Sequence, residues 1–329
     1  MNTMAMNASE LENVLRSAIK NSFNVLITGA PGIGKTDIIK SAVEKEKCDL
    51  IPEHAVTSEP TDYKGLGFPS KDKESARFLP YGVLLEMLNA TKPLAVFFDD
   101  VGQAPQSVQA AIMQLILERK INGHKVSKHV RFLAATNRRQ DNAAVSGLIT
   151  PLISRFNSVI ELEVDANAWV QWALANQMPV ELIAFLRLKP ALISTFDSSK
   201  RDLKNFACPR TIANLGKWIN AGVHSSKVWA GCVGETFQTE FSAFWELFKT
   251  LGNMPDRICQ GQAVDVPARP DLKFAICAAL AFRASQVNWS NIMAFEFQTY
   301  LTVDSTARNP ELMNTKEFID FSVSNQNVL

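Results

Sequence analysis

Gly29, Ala30, Pro31, Gly32, Ile33, Gly34, Lys35 and Thr36 constrain this chain more than any other stretch. They fit the pattern G-x-x-x-x-G-K-[ST], in which a glycine-rich loop cradles phosphate groups. The flanks agree. Residues 24–28 are an apolar run of strand length, and residues 37–45, opening at Asp37, carry apolar positions at helical spacing. A loop between a buried strand and a helix N-terminus turns free backbone N–H groups and the positive end of the helix dipole towards an anion. Gly29, Gly32 and Gly34 let the backbone approach phosphate with no Cβ in the way. Lys35 is placed to reach the β- and γ-phosphates of a nucleotide, and the Thr36 hydroxyl to complete a Mg²⁺ shell.

Two more strand-like runs end on a polar group. Residues 92–98 are continuously apolar after Lys92 and stop at Asp99 and Asp100; residues 131–136 stop at Asn137. Fully apolar strands suit a parallel sheet covered on both faces, where ligands sit beyond the C-terminal strand ends. Asp99 is then expected to hold Mg²⁺ and Asp100 to orient or deprotonate an attacking water. Three buried strands that each end at a polar group are the best sequence-level support for one shared site.

The rest of the chain surrounds that core. Ser9 and Glu12 are spaced as a capping box ahead of a helix whose apolar face is Leu11, Val14, Leu15 and Ile19, expected on the sheet edge. A weaker strand is expected near residues 51–57. Residues 59–80 are polar and rich in Gly, Pro, Lys and Asp, and read as a surface loop or insertion. Tyr63 and Phe68 lie among its glycines, either exposed for a partner or folded back over the sheet. Helical spacing resumes over residues 81–89 and again after Pro105, with Val108, Ile112, Leu115 and Ile116 facing inward. Asn122 and Gly123 signal a hairpin, and residues 159–164 alternate as a strand with one wet face. Beyond Asp165 the chain reads as helical, and Phe237, Phe241, Phe244, Trp245 and Phe248 recur at core spacing.

Bulk properties exclude several classes. The 329 residues suffice for about two domains, and 47% hydrophobic with 20% charged residues describes an ordinary globular chain. A net charge of +1 argues against a nucleic-acid partner. Five cysteines without a C-x-x-C pair and no secretory signal pattern point to reduced thiols and a cytoplasmic location. The four histidines lack metal-ligand spacing. The most apolar run, residues 274–282, is half a membrane span, so a buried helix and no membrane partner are expected.

These pieces, in this order, resemble the AAA+ ATPases, and more closely the MoxR-type branch with an insertion in its second helix. The matching stretches are residues 29–36 for Walker A, residues 97–105 for Walker B and residues 134–137 for the first sensor. Ser154-Arg155-Phe156 resembles the arginine finger, and Cys208-Pro209-Arg210 the second sensor. The likeness covers residues 8–220 and, loosely, the remainder. It implies an α/β P-loop NTPase core, a parallel sheet sandwiched by helices, over residues 1–164, with the insertion at 59–80. A helical lid over 165–260 and a helical C-terminal extension over 261–329 would follow. It also implies ATP and Mg²⁺ as ligands and a ring, commonly of six copies. Asn137 would align the water beside Asp100, Arg155 would reach the neighbour's γ-phosphate in trans, and Arg210 would report nucleotide state to the lid. The partner implied is a protein client, in this branch often one with a von Willebrand factor A-type domain. The family usually has Asp-Glu where this chain has Asp99-Asp100, a carboxylate short by about 1.5 Å. Two alternatives remain on the same fold, a nucleic-acid motor or loader and an ATP-gated assembly scaffold with little hydrolysis.

Overall fold

The computed structural model describes residues 5–71, 74–138, 141, 147–197, 204–265, 267–283 and 291–292; the helical reading of residues 284–290 and 293–329 lies outside them. The chain divides into two units: the first runs to Val164 and also takes in Asp197, and the second holds residues 165–196 and the described residues from 204 onward.

The first unit begins with β1 (Ala5–Met6) and α1 (Ala8–Asn21), followed by β2 (Val25–Thr28), α2 (Lys35–Lys45) and β3 (Asp49–His54). The stretch read as a loop holds α3 (Pro60–Lys64) and an antiparallel hairpin of β4 (Leu66–Pro69) and β5 (Ala76–Leu79). Next come α4 (Gly82–Asn89), β6 (Leu94–Asp99), α5 (Gln106–Glu118) and a small hairpin, β7 (Lys120–Ile121) with β8 (His124–Lys125), which turns at Asn122 and Gly123. The unit closes with β9 (Val130–Thr136), α6 (Thr150–Ile153) and β10 (Ser158–Leu162).

Among the described residues, six strands form one sheet in the order β1-β10-β2-β9-β6-β3, and every pairing is parallel. The fold is therefore the predicted one, a parallel sheet with flanking helices. β6 and β9 are almost wholly buried, as a sheet covered on both faces requires. β3 carries Pro52, which lacks a ladder donor, and it lies at the sheet edge where that loss is tolerated. Register sets the site. Thr28 pairs with Thr136 across β2 and β9, and Phe98 with Ala134 across β6 and β9. The residues that leave these three neighbouring strands consequently emerge side by side.

Two sequence expectations are corrected. The cap of α1 is Asn7, not Ser9: the Asn7 side chain accepts from the Glu10 N–H, and Glu10 Oε2 accepts from the Asn7 N–H, each at 3.0 Å. Glu12 is thereby freed to pair with Lys45 and to accept from the Ser41 hydroxyl on α2. So α1 packs chiefly on the helix behind the phosphate loop rather than on the sheet edge. In the insertion the aromatics part company. Tyr63 is fully buried against Phe98, whereas Phe68 on the hairpin is 47% exposed.

The second unit is helical throughout its assigned elements, apart from a 3₁₀ turn at Pro190–Ile193: α7 (Ala166–Ala175), α8 (Val180–Leu188), α9 (Pro209–Asn220), α10 (Ser226–Lys249), α11 (Met254–Cys259) and α12 (Pro270–Arg283). α10 breaks at Gly234, where φ is 80° and a Cβ would meet the Asn205 carbonyl at 2.8 Å. Phe185 of α8 packs edge-on to Phe237 and Phe241 of α10, so the aromatic spacing does mark a core.

Phe98 is fully buried, stacked on Phe132 and edge-on to Tyr63. Phe98→Ala is expected to destabilise the first unit by about 3–5 kcal/mol, read as an earlier urea midpoint for that unit while the unfolding of the second stays in place.

Candidate active site

The phosphate loop leaves β2 at Gly29 and enters α2 at Lys35. Gly29 has no room for a side chain: a Cβ there would lie 2.6 Å from Ile33 Cδ1 and 3.0 Å from the Leu162 carbonyl. Gly34 caps α2 with φ at 97°, a left-handed backbone that favours glycine, and no side chain caps the helix. The first N–H groups of α2 have no intrahelical partner, which leaves them to an anion. Asp37, in the same turn, is exposed.

Five polar side chains then close a circuit around that helix start. The Lys35 ammonium, 7% exposed, donates to the Gly29 and Ala30 carbonyls at 2.9 Å and to Asn137 Oδ1 at 2.8 Å. Asn137 Nδ2 donates to Asp100 Oδ1 at 3.4 Å, the longest link. The Asp100 backbone N–H donates to Asp99 Oδ1 at 3.0 Å, and the Thr36 hydroxyl donates to Asp99 Oδ2 at 2.9 Å. The orientation of the Asn137 amide is forced, because an ammonium only donates and a carboxylate only accepts. Residues up to 102 positions apart thus meet over one anion-ready helix terminus. Thr36 and Asp99 also fit a magnesium ion: a hydroxyl and a carboxylate offer two hard oxygen donors, and magnesium retains water and substrate oxygens for its other positions.

The structure brings together Gly29 to Thr36, Asp99, Asp100 and Asn137. Among the described residues, Arg155 has no hydrogen bond to that set: it lies in the turn after α6, half-buried, with Nη1 donating to Ser154 Oγ at 3.1 Å and Nε buried without a partner. Arg210 is exposed in the first turn of α9, in the second unit.

Two supporting residues escaped the sequence reading. Arg138 follows Asn137 and reaches past β2: it is hydrogen-bonded to both Asp141 oxygens and pairs with Glu161 of β10 at 2.9 Å. The Asp141 carboxylate, followed by Glu161, holds its guanidinium above the ordinary arginine value. The second is Gln109, fully buried in α5. Its signal was available, since position 109 stands three before Ile112 and seven before Ile116, on the apolar face.

Residues 24–156 match the model of the AAA domain (dynein-related subfamily). The first unit has the P-loop NTPase-like AAA fold. A stretch of 137 residues is 28% identical to an uncharacterized protein in the HyuA 5′ region of Pseudomonas sp. (strain NS671), covering 37% of this chain and 44% of that protein. Among solved structures, the Thermotoga maritima RuvB Holliday junction branch migration motor is 13% identical, with 77% of this chain and 74% of that one covered at a TM-score of 0.41. NtrX from Brucella abortus is 12% identical, with 92% and 67% covered at a TM-score of 0.42. No helix among the described residues is long and apolar enough to cross a membrane.

Two substitutions probe the AAA core. Asn137→Ala is expected to leave nucleotide affinity within a few-fold and to lower kcat about 10²–10³-fold, measured by ATP binding and phosphate release. Asp100 sits at φ 52°, a left-handed backbone that aspartate accepts more readily than longer residues. Asp100→Glu is expected to keep or raise turnover, because the carboxylate gains reach, while costing less than about 1 kcal/mol of stability at that backbone; phosphate release and thermal unfolding read the two effects separately.

Proposed function

We propose that this chain hydrolyses ATP to ADP and phosphate, as an AAA+ ATPase of the MoxR type working in an assembly of its own copies. The observation that carries the reading is the chain of contacts from Lys35 through Asn137 to Asp100, which ties the phosphate-holding lysine to the carboxylate that would act on water.

In this reading the loop N–H groups and Lys35 bind the β- and γ-phosphates. Thr36 and Asp99 hold the magnesium ion, which when bound neutralises charge on the phosphate oxygens. Asp100 orients the attacking water and accepts its proton, and the Asn137 amide fixes the carboxylate that does so. The guanidinium of Arg155, whose side chain among the described residues hydrogen-bonds to Ser154, would supply a cation to the phosphate of a neighbouring copy. A closed ring, taken here as six copies, would then give every site an arginine. The helical unit serves as the lid over residues 165–260, with an extension beyond, and Arg210 as its nucleotide sensor. By likeness to the branch, the proposal extends to cytoplasmic remodelling of a protein partner, one with a von Willebrand factor A-type domain.

Arg155→Ala is expected to bind ATP normally and to lose about 10³–10⁵-fold in turnover. Mixing it with Asp100→Asn, which keeps its arginine but cannot activate water, is expected to restore phosphate release. No recovery at any mixing ratio would remove the shared site, and normal turnover of Arg155→Ala alone would remove the arginine from catalysis.

A further inference from the structure

Gln109 is a fully buried amide that makes three hydrogen bonds, all to main-chain groups. Nε2 donates to the Ala104 carbonyl at 3.0 Å and to the Gly147 carbonyl at 3.1 Å, and Oε1 accepts from the Ile149 N–H at 3.0 Å. Its orientation is fixed by chemistry, since two carbonyls can meet only the NH₂ end and an N–H only the oxygen. Burying an amide inside an apolar helix face is unfavourable unless it is satisfied, so the three contacts define what this residue does.

Two of the three lie on one short segment. Gly147 and Ile149 lead directly into α6, and Ile149 precedes its first residue, Thr150. Arg155 follows two residues after that helix. Among the described residues, the only hydrogen bond of its side chain is to the adjacent Ser154, and its Nε has none. The side chain therefore has little hold of its own, and the guanidinium goes where the backbone of the turn puts it. That backbone is set from below by Leu152 and Phe156, which sink into the core, and at its entry by Gln109.

We propose that Gln109 is a positioning residue for Arg155. By holding Gly147 and Ile149 it sets where α6 presents the guanidinium to the nucleotide site of a second copy of this chain. This rests on the reading above that Arg155 acts between copies. Its third contact, Ala104, is held independently: the Ala104 N–H donates to the Val101 carbonyl and the Gln103 N–H to the Asp100 carbonyl. The circuit of Lys35, Thr36, Asp99, Asp100 and Asn137 is thus anchored without Gln109, whereas the approach to α6 is held by the Gln109 amide together with the packing of Leu148 and Ile149 on the core. Loss of the amide removes the partner of one buried main-chain group, the Ala104 carbonyl, and of two half-buried ones at Gly147 and Ile149, and the 147–149 segment is then free to shift.

Mixed assemblies separate donor from acceptor. Gln109→Leu keeps the bulk and removes the amide. Alone it is expected to bind ATP as the unaltered protein does and to lose turnover about 10²-fold or more, the size expected for misplacing a catalytic group by about 1 Å. Mixed with Asp100→Asn, whose arginine is intact, it should recover phosphate release at its own site. Mixed with Arg155→Ala it should stay inert, because neither copy presents a usable arginine. Recovery with Arg155→Ala but not with Asp100→Asn would overturn the proposal and assign Gln109 to its own site through Ala104. Equal recovery, or none, in both mixtures would overturn it too. Asp100→Asn mixed with Arg155→Ala runs as the control: if that pair fails, the shared site itself falls, a result distinct from a wrong pattern with Gln109. Should the leucine variant not bind ATP, Gln109→Asn, one methylene shorter, is read on the same terms. Loss of ATP binding by both variants would overturn the proposal by placing the role of Gln109 in the whole core.

Discussion

An ammonium group inside a protein must be compensated, and the 2.8–2.9 Å contacts of Lys35 with two loop carbonyls and the Asn137 oxygen do that. Their geometry depends on the sheet. β9 lies between β2 and β6, so the loop, the amide and the paired aspartates leave three adjacent strands at the same level. Strand spacing of about 4.8 Å then brings their side chains within hydrogen-bond reach. A different strand order would scatter the same residues along the sheet edge. The chemistry of the site is in this sense a property of the topology, and the Phe98–Phe132 stack that joins β6 to β9 helps to hold it.

Much of this was legible in the sequence because it depends on local signals. Three apolar runs ending in Gly29, Asp99 and Asn137 announced buried parallel strands with polar exits, and the glycine pattern announced the helix N-terminus. What stayed hidden depends on partners distant in sequence. The spacing of Ser9 and Glu12 fits a capping box, but Glu12 is claimed by Lys45 and Ser41 on another helix, and Asn7 takes the cap. Residues 59–80 read as polar loop because each hairpin strand has four residues with every position exposed, too short a run to stand out from the Gly, Pro and charged residues around it. No motif marks Arg138, and its role rests on Asp141 and on Glu161 of another strand.

The two arginines mark a different boundary. Their motifs are visible, but their surroundings are sparse: among the described residues the Arg155 side chain donates only to its neighbour Ser154, and Arg210 stands exposed at the start of α9. Gln109 is the reverse case. Its contacts are complete, and they tie the loop behind the paired aspartates to the approach of the arginine turn.

Left-handed backbone at position 100 has an evolutionary corollary. Asparagine occupies that conformation as comfortably as aspartate, and the two differ in a single terminal atom. A duplicated gene could shed the charge here while keeping the local backbone shape, and such a loss lies one nucleotide change away.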